Sequence, residues 1–270
     1  MLRDITIGQY YNTKSSLHSL DPRCKLIGLV VMMALIFVAQ SVIEYAFVTL
    51  LTIALAILSR VPMAYILKGM KPVWLIVAFT AVINIFMGGG ETVVFTWWAF
   101  TVTKEALYLA LSMMLRVVLL VTVSTLLTLT TSPTVLTSGL EKLLKPLEKV
   151  KFPSHEVAMM MSIALRFIPT LGEEAEKIMK AQAARGNDIE SGGFMKKISG
   201  MIPLFVPLFI SAFRRADELA MAMECRCYAG GCNRTAFRKL EYKKSDAVAF
   251  VLMGTAVLLV VIYRTVGFLI

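Results

Sequence analysis

Long, nearly uninterrupted apolar runs dominate the pattern of hydrophobic and polar positions along this chain. A helix needs about 20 apolar residues to cross a bilayer, and five runs approach or reach that length: residues 26–42, 43–58, 72–87, 105–131 and 247–263. A piece at 62–71 is too short to span and is bracketed by Pro62 and Pro72, so we expect it to lie at the membrane interface. The pattern predicts an all-α integral membrane protein with about five transmembrane helices.

The segment between the fourth and fifth runs has a different period, because its apolar residues recur three and four positions apart, as on one face of a helix. A long helix is predicted from residue 157 to Gly186, since glycine commonly follows a last helical turn. A second is predicted from about Pro203 to Gly230. A shorter one is predicted over 133–150, with Ser132 as its N-cap. The segment therefore predicts three amphipathic helices of increasing length.

The distribution of basic residues predicts the orientation, because lysine and arginine accumulate in cytoplasmic loops. They cluster before the first run and between the second and third: Arg3, Lys14, Arg23, Lys25, Arg60, Lys68 and Lys71. The next loop is Gly-rich at 88–91, has Lys104 as its only basic residue, and carries Trp97 and Trp98, which fit an interfacial aromatic belt. We therefore expect this loop to lie outside. We expect a cytoplasmic N-terminus, a four-span membrane domain (1–131), a cytoplasmic coupling domain of three helices (132–244) and a C-terminal transmembrane helix (245–270).

Composition and charge agree with a membrane protein. Hydrophobic residues make up 57% of the 270 residues and charged residues 17%, whereas a soluble domain has about 25% charged residues. The formal net charge of +10 follows from basic cytoplasmic loops, so we expect the lipid bilayer and not nucleic acid as surroundings.

Signatures of catalysis and of metal binding are missing from the sequence. It contains no G-x-x-x-x-G-K-[ST], H-E-x-x-H or G-x-S-x-G motif, so we expect no enzyme activity and no cofactor. Cys225, Cys227 and Cys232 offer three thiolates without a neighbouring histidine, whereas a closed zinc site usually has four ligands. Free cysteines in a reducing compartment are the better interpretation, and we expect no metal site.

Two arginines end the two long amphipathic helices, and each lies between small residues. Arg185 is flanked by Ala184 and Gly186, and Arg226 by Cys225 and Cys227. An arginine at a helix C-terminus can simply interact favourably with the helix dipole. Small neighbours and a multi-donor guanidinium also suit insertion into a groove of another protein. Both interpretations remain open from the residues alone.

Several segments, taken in order, resemble one known family. They are Asp4-Ile5-Thr6-Ile7-Gly8-Gln9-Tyr10-Tyr11, Leu20-Asp21-Pro22-Arg23-x-Lys25-Leu26, Thr128-Leu129-Thr130-Thr131-Ser132-Pro133, Leu165-Arg166-Phe167-Ile168-Pro169-Thr170-Leu171, Ala184-Arg185-Gly186 and the stretch from Arg214 to Glu224. Together they resemble the transmembrane T component of energy-coupling factor (ECF) transporters, ABC-type importers of vitamins and trace metals. The N-terminal segment is similar to the shared-module group, in which one T component serves several substrate-binding subunits.

The resemblance implies a function and partners. It implies a non-catalytic coupling subunit in a prokaryotic plasma membrane, which links ATP hydrolysis by two cytoplasmic ATPases to uptake through a small membrane S component. Ala184, Arg185 and Gly186 would dock into one ATPase, and Cys225, Arg226 and Cys227 into the other. The Met- and Phe-rich faces of the long helices, including Met160, Phe205 and Phe209, would contact the S component. Cys227 departs from the glycine of the family motif, and a left-handed backbone is costly for cysteine.

The alternative is a membrane scaffold whose basic amphipathic helices bind anionic lipid headgroups. Such a helix carries lysine and arginine along its polar face. The helices here mix both signs of charge, with Glu173 and Glu176 placed four residues before Lys177 and Lys180. The charge distribution favours the coupling subunit.

Overall fold

The computed structural model describes residues 10–87, 92–97, 100–150, 153–186, 194–228 and 240–269. Clustering of contacts along the chain gives two compact units. The first, which we call the membrane unit, comprises residues 8–139 and 240–270, and the second, the hairpin unit, is built from residues 140–239. Each unit is described separately below.

The membrane unit is helical apart from one short hairpin. Its elements are α1 (Pro22–Val38), α2 (Val42–Ser59), α3 (Met63–Met70), α4 (Trp74–Met87), β1 (Val93–Trp97), β2 (Phe100–Thr103), α5 (Lys104–Thr130), the first half of α6 (Pro133–Leu144) and α9 (Lys244–Leu269). Helix α6 begins at Pro133, as the sequence predicts. The all-α fold class of the prediction is confirmed.

Three helices of the described chain are long and apolar enough to cross a membrane: α2, α5 and α9. Helices α3 and α4 pass the same test together, with a bend of 59° between them, so they form a fourth candidate span. The helix predicted at 62–71 corresponds to α3. The third predicted run, 72–87, corresponds to α4, and the two helices are joined at the bend. Helix α1 has 17 residues, about 25 Å of helix, and remains a predicted span.

A β-hairpin lies between α4 and α5, where the sequence predicted only a loop. Strands β1 and β2 are antiparallel, with Trp97 opposite Phe100 and Val93 opposite Thr103. Thr103 then caps α5, because its hydroxyl accepts a hydrogen bond from the amide of Ala106 (3.2 Å). The Gly-rich stretch 88–91 and Trp98 lie outside the described residues.

The core of the membrane unit lies where α1, α2, α5 and α9 meet. Its buried side chains are Met32, Leu35, Ile36, Val48, Leu119, Val123, Ala256 and Val260. Around it, large apolar side chains on the outer faces of the candidate spans are exposed, such as Leu50 in α2 and Leu252 in α9. Outward-facing apolar side chains are what a helix in contact with lipid requires.

A cluster of polar side chains, which we call the polar junction, ties together the ends of three of these helices. It consists of Asp21, Arg23, Lys25, Thr130, Thr131 and Asp246. The carboxylate of Asp246, which is fully buried, accepts hydrogen bonds from the amides of Asp21 (2.8 Å) and Lys243 (2.7 Å). These contacts join the starts of α1 and α9.

The end of α5 joins the same cluster through Lys25. Its ammonium donates to the carbonyl of Thr130 (3.0 Å) and to the hydroxyl of Thr131 (3.2 Å). Arg23 pairs with Asp21 at 3.1 Å and lies over the ring of Tyr242 at 4.1 Å. The Asp-Pro-Arg-x-Lys segment is thus the contact between three helix ends.

Arg116 lies within the fourth apolar run and has partners within the protein. Its guanidinium donates to the carbonyl of Ala39 (3.2 Å) and to the hydroxyl of Tyr45 (2.6 Å). Because an unpaired cation in a span is costly, this pairing supports a structural role at the α1–α2 connection.

The hairpin unit contains the second half of α6, a 3₁₀ helix (Lys145–Val150), α7 (Ser154–Ala184) and α8 (Phe194–Cys225). Three amphipathic helices of increasing length were predicted, and the structure has helices of 12, 31 and 32 residues. The predicted start of the last helix at Pro203 is wrong, because α8 begins at Phe194 and continues through Pro203 and Pro207.

Replacing Asp246 with alanine leaves the buried amide of Asp21 and the partly buried amide of Lys243 without this acceptor. An unsatisfied buried group costs about 1–3 kcal/mol. We expect Asp246→Ala to lower the unfolding temperature of the purified chain in detergent by several degrees. Asp246→Asn, which keeps one acceptor oxygen, should lose less. Ser245→Ala, at an exposed neighbouring position, is the control. An alanine variant as stable as this control would show that the junction does not hold α1 and α9.

Candidate functional site

The first tip (Ala184, Arg185, Gly186) ends helix α7. Ala184 is the last helical residue, and Arg185 is its C-cap with φ −85° and ψ 5°. Gly186 follows with φ 81°, in the left-handed region. The amide of Arg185 donates to the carbonyl of Gln182 (3.1 Å) and that of Gly186 to Ala183 (3.0 Å). The predicted glycine stop is confirmed.

The second tip (Cys225, Arg226, Cys227) ends helix α8 with the same backbone pattern. The amides of Arg226 and Cys227 donate to the carbonyls three residues earlier, on Met223 (3.1 Å) and Glu224 (2.8 Å). Cys227 has φ 58°, so it occupies the left-handed conformation of Gly186 in the first tip. The amide of Tyr228 donates back to Met223 (3.0 Å), which completes a Schellman-type helix end.

All six tip residues are exposed, including both cysteines. Each arginine therefore lies at the negative end of its helix dipole, with its guanidinium in solvent. A Cβ added to Gly186 meets nothing within 4 Å, so the space around the first tip is open. The geometry presents an arginine beside the last carbonyls of the helix, where a partner can approach both.

Helices α7 and α8 pack on each other in opposite chain directions. The side-chain amide of Gln182 donates to the carbonyl of Pro203 (3.4 Å), and Glu174 pairs with Arg215 (3.0 Å). Moving forward along α7 from Glu174 to Gln182 thus means moving backward along α8. The two tips leave the contact in opposite directions, so the structure does not bring them together.

The Pro203 carbonyl is available because of the next proline. In an α-helix this carbonyl bonds the amide four residues later, and Pro207 has no N–H. Gln182 of α7 supplies the missing donor. The two prolines therefore create a polar contact between the helices.

An apolar surface on α8, which we call the phenylalanine stripe, is exposed. It comprises Met201, Ile202, Phe205, Val206, Phe209, Ile210 and Phe213. Phe205 and Phe209 are 57% and 65% exposed, and the rings of Phe209 and Phe213 are 4.6 Å apart. Met160 of α7 is also exposed, at 58%. An apolar patch of this extent on a monomer marks an interaction surface.

The other side of α8 faces α7. Leu204 is buried and lies eleven residues before Arg215, which places both on one side of the helix. Helix α8 thus has a buried leucine on the side that contacts α7 and an exposed apolar stripe on the opposite side. In the described residues no group of three or more metal-ligating side chains occurs, and Cys232 lies outside them.

Comparison with known proteins agrees with this architecture. A model of the cobalt transport protein (CbiQ) family matches residues 13–237. The chain belongs to this family. It is 51% identical over 250 residues to the energy-coupling factor transporter transmembrane protein EcfT of Clostridium kluyveri, covering 92% of this chain and 93% of the relative.

Other relatives carry the same name. The EcfT protein of Brevibacillus brevis is 48% identical over 265 residues (98% of this chain, 100% of the relative). That of Bacillus subtilis is 47% identical over 251 residues (93% and 95%). The resemblance to the transmembrane component of ECF transporters is confirmed, and the chain is a membrane component of a transport system.

Sequence reasoning missed the contacts that join the two long helices. Glu174, Gln182 and Arg215 carry them, and no contact between these residues was predicted from the sequence. The Pro203-x-x-x-Pro207 spacing leaves the Pro203 carbonyl without its helical donor, and this spacing could have indicated such a contact. No periodic spacing indicates the Glu174–Arg215 pair, because its two residues are 41 positions apart in the sequence.

Substitution of the left-handed residue at each tip tests whether that position is strained for a non-glycine residue. A left-handed conformation costs a non-glycine residue about 1–2 kcal/mol. We expect Cys227→Gly to slow amide hydrogen exchange in the last turn of α8, and Gly186→Val to accelerate it in the last turn of α7. The expected change is about fivefold per kcal/mol, measured by mass spectrometry. Unchanged exchange in both variants would contradict the assigned backbone.

Proposed function

We propose that this chain is the coupling subunit of an ECF-type ABC importer. It links ATP hydrolysis by two cytoplasmic ATPases to uptake of a vitamin or micronutrient through a small membrane S component, and is itself non-catalytic. The observation that carries the proposal is the pair of matching helix ends. Arg185 and Arg226 occupy the same position in two helix ends of the same hydrogen-bond pattern, pointing in opposite directions.

Two helix tips with the same backbone geometry suit two partners with equivalent binding grooves. Two ATPases related by symmetry present two equivalent grooves, and each groove receives one tip. The guanidinium binds a carboxylate or carbonyls in the groove with a rigid donor fork. Ala184 and Gly186 in one tip, and Cys225 and Cys227 in the other, let the groove walls approach the backbone.

The phenylalanine stripe and Met160 are the proposed contact for the S component. A transmembrane protein that carries substrate has a largely apolar outer surface, and the stripe offers an apolar face of α8 to it. Phenylalanine and methionine side chains re-pack against different surfaces at low cost. This favours a shared subunit that accepts several S components in turn.

The placement in the cell follows from the same proposal. The hairpin unit lies in the cytoplasm with the ATPases, within a cytoplasmic coupling domain of residues 132–244. The membrane domain (1–131) and the last helix (245–270) lie in the prokaryotic plasma membrane. The N-terminus is cytoplasmic. The basic residues on the N-terminal side of α1 and around α3 support this orientation.

The scaffold alternative rests on the same stripe, which could enter a lipid interface. Two features argue against lipid headgroups as the main partner of α7. Its charges alternate in sign, as in the Glu176–Lys180 pair at 2.9 Å, and both arginine tips lie at helix ends and not along a face.

Charge reversal at the tips tests ATPase docking. We expect Arg185→Glu and Arg226→Glu each to weaken co-purification of the ATPases at least about tenfold, because truncating one partner of a buried charged contact costs 2–5 kcal/mol. The double variant should lose both ATPases and all uptake, while the spans stay folded. The measurement is affinity purification from native membranes with quantification of each bound subunit.

Lys180→Glu is the matched control for charge. It makes the same change on α7 near the first tip, at a side chain that is 75% exposed in a surface pair, and such pairs contribute little. Normal ATPase recovery with Arg185→Glu and Arg226→Glu would remove the docking role. If lipid alone accompanies the wild-type chain, the scaffold becomes the better explanation.

Polar substitution in the phenylalanine stripe tests the S-component contact separately. We expect Phe205→Ser with Phe209→Ser to reduce the recovery of small membrane proteins severalfold while the ATPases remain bound. The reason is the loss of apolar contact area, which stabilises binding by roughly 25 cal/mol per Å². Glu218→Ser, on the opposite side of α8, is the control. Full recovery of the small proteins by the double variant would place their contact elsewhere.

A further inference from the structure

An apolar cavity lies among the helices of the membrane unit, and we call it the α1 cavity. Its volume is about 480 Å³, within the range of about 300–1,000 Å³ that is typical of small-molecule sites. Side chains of α1, α2, α5 and α9 line it, and all four helices belong to the membrane unit. Two of its lining residues, Leu58 of α2 and Leu252 of α9, are 51% and 63% exposed. The cavity therefore opens to the outside between α2 and α9.

The α1 cavity has the depth of one leaflet of a bilayer. It extends along α1 over residues 25–35 and along α9 over residues 249–259, and ten residues of helix are about 15 Å long. The hydrocarbon core of a bilayer is about 30 Å thick, so the cavity covers half of it. One turn beyond residue 259, the hydroxyl of Tyr263 lies 3.4 Å from that of Ser41. This contact joins α9 to the start of α2 and closes the cavity at this end.

The polar side chains that line the cavity use their hydrogen-bond donors within the protein. The ammonium of Lys25 donates to His18, Thr130 and Thr131. The hydroxyls of Thr130 and Thr255 donate to carbonyls of their own helices (2.7 and 2.9 Å), and the other lining residues have no side-chain donor. Water inside the cavity would lack the polar partners that a buried water needs. The interior therefore suits a hydrocarbon.

Cations flank the end of the cavity that lies at the polar junction. Arg60 is the C-cap of α2, two residues after the lining residue Leu58. Lys243 and Lys244 lie at the start of α9. All three are exposed, and Glu241 is the exposed carboxylate beside them. The balance of charge is positive, and basic residues at a membrane surface attract anionic lipid headgroups.

We propose that the α1 cavity is a lipid site, which takes one acyl chain of an anionic phospholipid while Arg60 and Lys244 bind its phosphate. The chain enters between α2 and α9 and fills the space down to Leu35. A transmembrane helix of another protein fits less well, because it needs both leaflets and the contact between Ser41 and Tyr263 blocks the second. The site is independent of the proposed ATPase docking. Under the proposed orientation its lipid comes from the cytoplasmic leaflet, which is negatively charged.

Photolabelling of the full chain in vesicles tests the site without detergent. The probe is a phosphatidylglycerol with a diazirine near the end of one acyl chain, present as a trace in phosphatidylcholine, and mass spectrometry of peptides locates the adducts. We expect adducts on Met32 and Leu35, which line the cavity and are only 5% and 4% exposed. Lipid reaches such buried side chains only through the cavity. Adducts on the outer face of α4, where Phe79 is 65% exposed, are the internal reference for unselective contact.

Competition distinguishes a headgroup-selective site from general contact with lipid. Replacing about half of the phosphatidylcholine with unlabelled phosphatidylglycerol should lower the ratio of cavity adducts to α4 adducts at least about fivefold, whereas neutral phosphatidylethanolamine should leave it unchanged. Arg60→Gln with Lys244→Gln should remove most of this selectivity. Lys68→Gln with Lys71→Gln removes the same charge at exposed positions of the α3 segment and should behave like the parent chain.

Filling the cavity tests its location. Ala54 and Ala249 line it, and we expect Ala54→Trp and Ala249→Trp each to lower the cavity adducts at least about fivefold, because the indole occupies the space of the acyl chain. Ala46→Trp and Ala247→Trp make the same change at exposed positions of the same helices outside the cavity. These matched controls should label like the parent chain.

Three results would overturn the lipid site. They are a parent chain without cavity adducts, equal competition by the two unlabelled lipids, and tryptophan variants of the cavity that label like their controls. Loss of a small membrane protein from these variants in native membranes, with the adducts unchanged, assigns the cavity to a protein partner and also overturns the proposal. If the tryptophan variants fail to insert, competition on the parent chain and the glutamine pairs still decides. The proposed function is tested separately by the tip variants.

Discussion

The buried carboxylate of Asp246 joins the first turn of α9 to the first turn of α1, and the arrangement of the membrane unit depends on this contact. Its acceptor oxygens hold the amides of Asp21 and Lys243, and Lys25 beside it holds the last carbonyl of α5. Polar groups buried at these helix ends have no access to water, so they must be satisfied within the protein. With three helix ends fixed at one junction, the apolar faces of α1, α2, α5 and α9 meet in a single core.

The C-termini of α7 and α8 differ from the helix ends at the polar junction, because they are exposed. Each ends in a left-handed residue that turns the chain sharply, and an arginine is left exposed at the negative end of the dipole. Cys227 accepts the strained conformation without the freedom of glycine, which shows that the backbone shape of the tip is maintained despite its cost. The helix ends at the polar junction have their polar groups satisfied within the protein and hold the membrane unit together. The C-termini of α7 and α8 are exposed and are available to other molecules.

The length of the apolar runs and the residues that start or end a helix are the features of this fold that can be read from local sequence. The runs that became α2, α5 and α9 exceed what a soluble helix needs, and Pro133 and Gly186 mark boundaries by their own backbone preferences. The start of α8 was predicted at about Pro203, but the helix begins at Phe194. Gln182 of another helix satisfies the carbonyl that Pro207 leaves free. The β-hairpin and the Glu174–Arg215 pair were missed for the same reason, since both depend on partners that periodicity does not reveal. Of the candidate site, the tips were located by the arginine and its small neighbours, whereas the contact between the helices was not.

Helix α8 connects these observations because it contacts α7 on one side and exposes apolar side chains on the other. Its buried side, with Leu204, packs on α7, and its exposed side carries the phenylalanine stripe. A helix of this kind lies between two layers, since exposed apolar area of this extent is unfavourable in water. One layer is α7, and under the proposed function the S component supplies the other. The same helix ends in the second tip, so Arg226 and the stripe belong to one continuous helix. Under the proposed function, one continuous helix therefore touches both the ATPase and the membrane partner.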